Sequence, residues 1–155
     1  MRPSVIQLRQ LVFKGIHLDP VDPTEDSPPI DASSFDFEGV IFRVNLGCEP
    51  LTAGEEGDDP SRFVIILGIA LDNTEGKPAP YLLDITALGL IAIDEKVEPE
   101  KRTNLAAING ASLIYGAIRE LVTTLSARSV AGPFVLPTMD FRDHLPPPTD
   151  PPEAP

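Results

Sequence analysis

Tryptophan is absent from the sequence, cysteine occurs once at Cys48, and histidine appears only at His17 and His144. A lone cysteine excludes an internal disulfide framework and is compatible with a reducing compartment. So few imidazoles and thiols leave no basis for a histidine-rich metal site. Basic residues are scarce too: 12 Lys and Arg stand against 24 Asp and Glu, a net charge of −12. Nucleic acid and anionic membrane both call for a basic face, so neither is expected as a partner. An acidic surface favours basic partners and keeps exposed apolar grooves in solution, and plain solubility accounts for it equally well. No Gly-rich phosphate loop follows a strand-like run, no nucleophile elbow occurs, and neither His is patterned with a Ser or Cys. No catalytic residue and no cofactor is therefore expected. Asp140, Asp143 and His144 form a close acid–base cluster, which reads as capping of a terminal turn because a catalytic cluster needs a pocket and a nucleophile beside it. The start, Met1-Arg2-Pro3, leads into Gln and Arg rather than an apolar segment, and no apolar run reaches membrane-spanning length. A cytoplasmic protein is expected.

What the chain does contain is a set of strand-like runs followed by one long apolar helix. The 155 residues suit one domain over 1–145, with the proline-rich stretch 146–155 as a disordered or polyproline-like tail. Ser4 to Asp19 reads as a strand of imperfect alternation, with Ile6, Leu8, Val12, Ile16 and Leu18 on one face. Asp19 to Asp36, broken by prolines and rich in acids, reads as a solvated connection; it lacks the central Gly and terminal Glu of a calcium loop. Gly39 to Leu46 has the cleanest alternation, Val40, Phe42, Val44 and Leu46 against Ile41, Arg43 and Asn45. A polar turn over Glu49 to Ser61 precedes Arg62 to Leu71, which is almost continuously apolar and so belongs to a strand covered on both faces. Pro80 to Asp94 returns as its hairpin partner, and Glu95 to Arg102 is a charged approach to the helix.

From Asn104 to Ala127 apolar residues recur at three- and four-residue steps, with Asn104 placed to cap the start. The apolar arc is wider than one core-facing stripe requires, so a second copy of the chain is expected against it, at Ala111, Ile114, Ile118 and Leu121. Gly132-Pro133 stops the helix, and Pro137 keeps Phe134 to Leu136 out of a sheet interior. The fold class is α+β: a four-stranded antiparallel sheet with a long helix packed on one face. One helix cannot cover both faces of four long strands, which is a second argument for oligomerisation.

Leu113 to Leu145, with its aromatic mid-helix, Arg119-Glu120, Ser-Ala-Arg-Ser, an apolar Pro-containing loop and Met-Asp-Phe-Arg-Asp-His-Leu, resembles the C-terminal half of SecB-type export chaperones. Ile6 to Ile16 is similar to that family's first strand. The resemblance implies a tetramer built as a dimer of dimers, with grooves for unfolded clients at Phe42, Val44, Leu46, Phe134, Leu136 and Met139; Tyr115 is a further candidate on the helix. It also implies contact with the motor SecA through a last helix and the acidic face of the sheet. Here Pro146-Pro147-Pro148 stands where that helix continues, which puts the handover in doubt and favours a SecB-like chaperone dedicated to one partner, such as the antitoxin of a toxin–antitoxin pair. The function expected is therefore a holdase for unfolded or pre-secretory chains, with the antitoxin chaperone as one alternative. A small-molecule-binding or enzymatic α+β domain is the alternative of another class, and it would need a closed pocket with convergent polar groups. On this reading Phe134→Asp with Leu136→Asp abolishes client protection and leaves the oligomer intact.

Overall fold

The computed structural model describes residues 1–26, 28–52 and 60–145. Most of the turn expected over Glu49 to Ser61, and all of the tail over 146–155, lie outside the described residues. Strands β1 (Ile6–Pro20), β2 (Arg43–Pro50), β3 (Arg62–Leu71) and β4 (Tyr81–Ile93) form one antiparallel sheet in the order β1-β4-β3-β2. Helix α1 (Pro99–Ser126) packs on all four strands from one side. Short 3-10 turns occur at Ala32–Ser34 and Arg142–His144. The α+β class and the sheet-plus-helix layout are as expected.

Alternation in β3 and β4 decides which face carries the core. Phe63, Ile65, Leu67, Ile69 and Leu71 of β3, with Tyr81, Leu83, Ile85, Ala87, Ile91 and Ile93 of β4, are buried beneath α1. The residues between them, Val64, Ile66, Leu88 and Leu90 among them, are half-buried and point to the opposite face. The expectation of cover on both faces of β3 is thus met on one side only by α1.

Three element boundaries differ from the sequence reading. The second strand begins at Arg43, not Gly39: Gly39 turns with φ 85°, and Val40 makes only an isolated bridge to Gly76. Helix α1 begins at Pro99, a residue whose missing N–H costs nothing in the first turn. Arg102 is accordingly inside the helix and buried, donating from Nε to the Val97 carbonyl (2.8 Å) and from its terminal nitrogen to the Glu95 carbonyl (2.9 Å). Asn104 therefore caps nothing. In β1 the register to β4 slips between Leu8 and Gln10 and again between Phe13 and Gly15. Each slip rephases the alternation, so Ile6, Leu8, Leu11, Phe13, Ile16 and Leu18 pair with the core-facing residues of β4, while Val12 lies opposite Leu88 on the outer face.

By length and composition α1 is long and apolar enough to cross a membrane, which corrects the expectation that no stretch is. In this fold it is packed on the sheet, closely enough that two glycines are required. A Cβ on Gly110 would sit 2.7 Å from Ile65 Cγ1, and one on Gly89 of β4 would sit 2.8 Å from Ile114 Cδ1. Gly116, on the exposed side of α1, has nothing within 4 Å. Urea titration should show Gly110→Val destabilised by about 1–3 kcal/mol through overpacking. Gly116→Ala should gain about 0.5–1 kcal/mol from helix propensity alone.

Candidate functional site

After α1 the chain doubles back as an irregular segment, and helix side chains satisfy its backbone. Ser126 Oγ accepts from the Phe134 N–H (2.8 Å) and donates to the Val122 carbonyl (2.6 Å). Arg119 Nε donates to the Leu136 carbonyl (2.8 Å), and the Tyr115 hydroxyl donates to the Pro137 carbonyl (2.6 Å). From the sheet, the Tyr81 hydroxyl donates to the Gly132 carbonyl. Burial pushes the Tyr115 hydroxyl well above its ordinary range, with Arg119 opposing, so it remains a donor.

This clasp places the expected site residues in two groups. Phe134 and Leu136 are fully buried and Tyr115 is 3% exposed, which corrects their assignment as client contacts. Phe134 stacks on Tyr81 (5.0 Å between centroids) and on Phe37 (5.3 Å), and Tyr115 meets Phe141 edge-on. Phe42, Val44, Leu46 and Met139 are half-buried at the margin of the same core and keep part of their surface open. On the helix, Ala111, Ile114 and Ile118 are fully buried against the chain's own sheet. The chain's own sheet takes these three, while Leu121 is half-buried and Leu113 and Leu125 of the same helix are 43% and 49% exposed.

Sequence reasoning missed a cleft. The connection from β1 to β2 crosses from one edge of the sheet to the other and is not merely solvated. Ala32 is buried and its N–H donates to the Ala131 carbonyl (3.3 Å), while Phe35 and Phe37 join the Phe134 cluster. Between this connection and the end of α1 lies a cleft of about 400 Å3, walled by Val21, Pro23, Pro28, Pro29, Ile30, Pro80, Val130 and Ala131, with Asp22 and Asp31 on its lining. Val130 is 90% exposed there. Hydrogen bonds from Ser33, side chain first and backbone second, hold the Asp31 carboxyl below the usual carboxylate range, so it stays ionised. The available signal was Val21-Asp22-Pro23 and Pro28-Pro29-Ile30, apolar residues set between prolines inside an acidic loop.

Within the acid–base cluster, Asp140 is the residue that holds the terminal turn. The Arg142 side chain and N–H both donate to the Asp140 carboxylate, at 2.9 and 3.0 Å, and hold its pKa down to about 2. Cys48 is half-buried with its thiol pushed up by burial, and its Sγ lies 3.9 Å from the Thr103 carbonyl. Among the described residues no group of three His, Cys, Asp or Glu side chains is placed to hold a metal.

The geometry defines an α+β sheet-and-helix protein with an open apolar cleft beside a sealed aromatic core. No family model matches the chain, and no curated protein matches it. Among solved structures it is similar to a SecB-like chaperone of Mycobacterium tuberculosis in complex with an antitoxin peptide, at 20% identity, over 87% of this chain and 91% of that chain, with a TM-score of 0.48. It is also similar to a Streptococcus agalactiae protein of unknown function, at 13% identity, over 88% and 97% of the two chains, with a TM-score of 0.47. At these identities the likeness concerns the fold.

Ser126→Ala leaves the buried Phe134 N–H without its acceptor and should cost about 1–3 kcal/mol by chemical denaturation. Phe134→Asp with Leu136→Asp buries two carboxylates and should abolish the folded state, seen as loss of near-UV ellipticity. Asp140 has a depressed pKa, so its contribution is present above the ordinary carboxylate value of about 3.9 and is lost as pH falls toward about 2. The Asp140 side-chain carboxyl resonance should show its titration step below about 4, toward about 2.

Proposed function

We propose that this chain is a binding chaperone of the cytoplasm that shields a short, extended, apolar segment of another polypeptide and releases it chemically unchanged. The observation that carries the reading is the cleft between the crossover connection and the end of α1, with Val130 90% exposed on its wall. Its prolines have fixed φ and no N–H, so the wall is apolar, already ordered, and loses little entropy when a segment settles on it. Asp22 and Asp31, on a chain of net charge −12, disfavour acidic segments and favour a basic residue beside the apolar ones.

The finer question is how broad the clientele is. Tyr115, Phe134 and Leu136 are closed inside the core, so the open volume, about 400 Å3, is toward the lower end of the roughly 300–1,000 Å3 of ordinary ligand clefts. A confined site fits one dedicated segment, such as part of an antitoxin, better than a succession of unrelated clients. General protection of export clients, with handover to SecA, is the second reading. It is favoured by Phe42, Val44, Leu46 and Met139, whose partly open side chains add apolar surface elsewhere on the molecule.

Peptide arrays tiling both a secretory precursor and the proteins encoded beside this one separate the readings. Capture of segments from a neighbouring protein alone supports the dedicated role, capture from both supports the general one, and capture of neither overturns the chaperone proposal. Val130→Asp should weaken capture by about tenfold, one apolar contact's worth, with an unchanged melting temperature because the side chain is exposed. Undiminished capture would remove the cleft from the mechanism.

A further inference from the structure

A row of partly open aromatic rings lies outside the cleft. Phe35 and Phe37 of the β1–β2 connection meet edge-on with centroids 5.0 Å apart, and Phe37 stacks on Phe42 at 5.9 Å. Val44 and Leu46 continue the row along β2, on the side that faces α1, since Leu46 is in register with the buried Leu67. All of these side chains are half-buried. Lys77 stands at the end of the row, its Nζ 4.7 Å above the Phe35 ring and donating to the Asp36 carbonyl (2.6 Å). Among the described residues no carboxylate pairs with it. The row is therefore aromatic and apolar with a cation at one end, opposite in sign to the cleft, which carries Asp22 and Asp31.

The sequence holds a segment of matching chemistry. Pro148-Thr149-Asp150-Pro151 and Pro152-Glu153-Ala154-Pro155 are successive units of proline, a residue pair and proline, each with one acid. Such units bind aromatic-lined grooves as polyproline II, and they lose little entropy because proline fixes its own φ. Three residues per turn set Asp150 and Glu153 on one edge of that helix and Pro148, Pro151, Pro152 and Pro155 on the other two. The reach is sufficient as well. The chain leaves the described fold at Leu145, shortly after Phe141, which lies against Tyr115. Phe134, stacked on Phe37, is tied to Ser126, and Tyr115 to Ser126 of α1 spans about 17 Å at 1.5 Å per residue. Residues 146–155 span about 31 Å as polyproline II.

We infer that residues 146–155 turn back onto their own domain and lie along Phe35, Phe37, Phe42, Val44 and Leu46 as polyproline II, with Asp150 and Glu153 toward Lys77. Tethering gives the segment an effective concentration in the millimolar range, so a shallow groove holds it. Proline offers no N–H, so the occupant adds no regular ladder to the edge of β2 and stays displaceable. A consequence that rests on the chaperone reading is regulatory: the segment covers the apolar margin that would serve general clients and leaves the cleft to a dedicated one.

Nuclear Overhauser spectra of the full chain test the docking with no client present. Proline δ protons of residues 148–155 should show contacts to the Phe37 and Phe42 rings. Asp150→Lys with Glu153→Lys should abolish them and shift the Lys77 and Phe35 resonances, and adding Lys77→Glu should restore them. A wild type without these contacts overturns the inference, as do contacts indifferent to the charge reversal. Contacts found only between differently labelled chains in a mixed sample would assign the groove to the segment of a second copy and overturn the internal contact. On the peptide arrays, the charge-reversed protein should capture secretory tiles at least about fivefold better than wild type, the cleft being unaltered. Docking without that gain overturns the regulatory consequence alone, whereas no capture by either protein overturns the chaperone reading and leaves the docking standing on the ring contacts.

Discussion

The segment after α1 must satisfy its backbone without a ladder, and much of the rest follows from how it does so. Pro133 and Pro137 keep it out of the sheet, yet Phe134, Leu136 and Phe141 are buried almost completely. Buried amides and carbonyls need partners, and Ser126, Arg119, Tyr115 and Tyr81 provide them from fixed elements. Once these bonds form, the segment's aromatic and aliphatic side chains have one place to go. The aromatic cluster is therefore core, and the available apolar surface moves outward to the cleft, the half-buried margin and the far face of the sheet.

The parts of the fold legible in the sequence are those governed by local periodicity. β3 and β4 were legible as unbroken apolar runs, which mark a strand without saying which face α1 covers, and α1 carried its three- and four-residue spacing. Boundaries were less legible where charge misled: Glu100 and Lys101 read as an approach to the helix, although a first turn beginning at Pro99 tolerates charged, exposed side chains. The start of β2 was set too early because Val40 and Phe42 continue an alternation that the turn at Gly39 interrupts. In β1 the alternation looked imperfect because two bulges reset its phase, and a bulge leaves little trace in a single sequence.

The candidate site was harder to read because distant residues create it. Whether Phe134 was core or groove depended on Tyr81 and Phe37, neither of which is near it in the chain. The cleft joins prolines of the β1–β2 connection to Val130, and each half alone looks like ordinary loop. Three residues of the expected helix seam belong to the core for a related reason. Ala111, Ile114 and Ile118 were correctly read as apolar and close-packed, but Gly110 and Gly89 let the chain's own sheet approach first. Surplus apolar area was a sound deduction, and it lies on the helix at the exposed Leu113 and Leu125 as well as on the outer face of the sheet.

The bulges in β1 have a further consequence for a protein with this much exposed apolar surface. β1 is an edge strand of 15 residues, long enough in unbroken form to template a continuous ladder with any extended chain. The slips around Arg9 and Lys14 divide it into short runs and put a cation at each break. Incoming strands would lose registry within a few residues, so the free edge resists runaway fibrillar growth while the broad faces remain available for selective contacts.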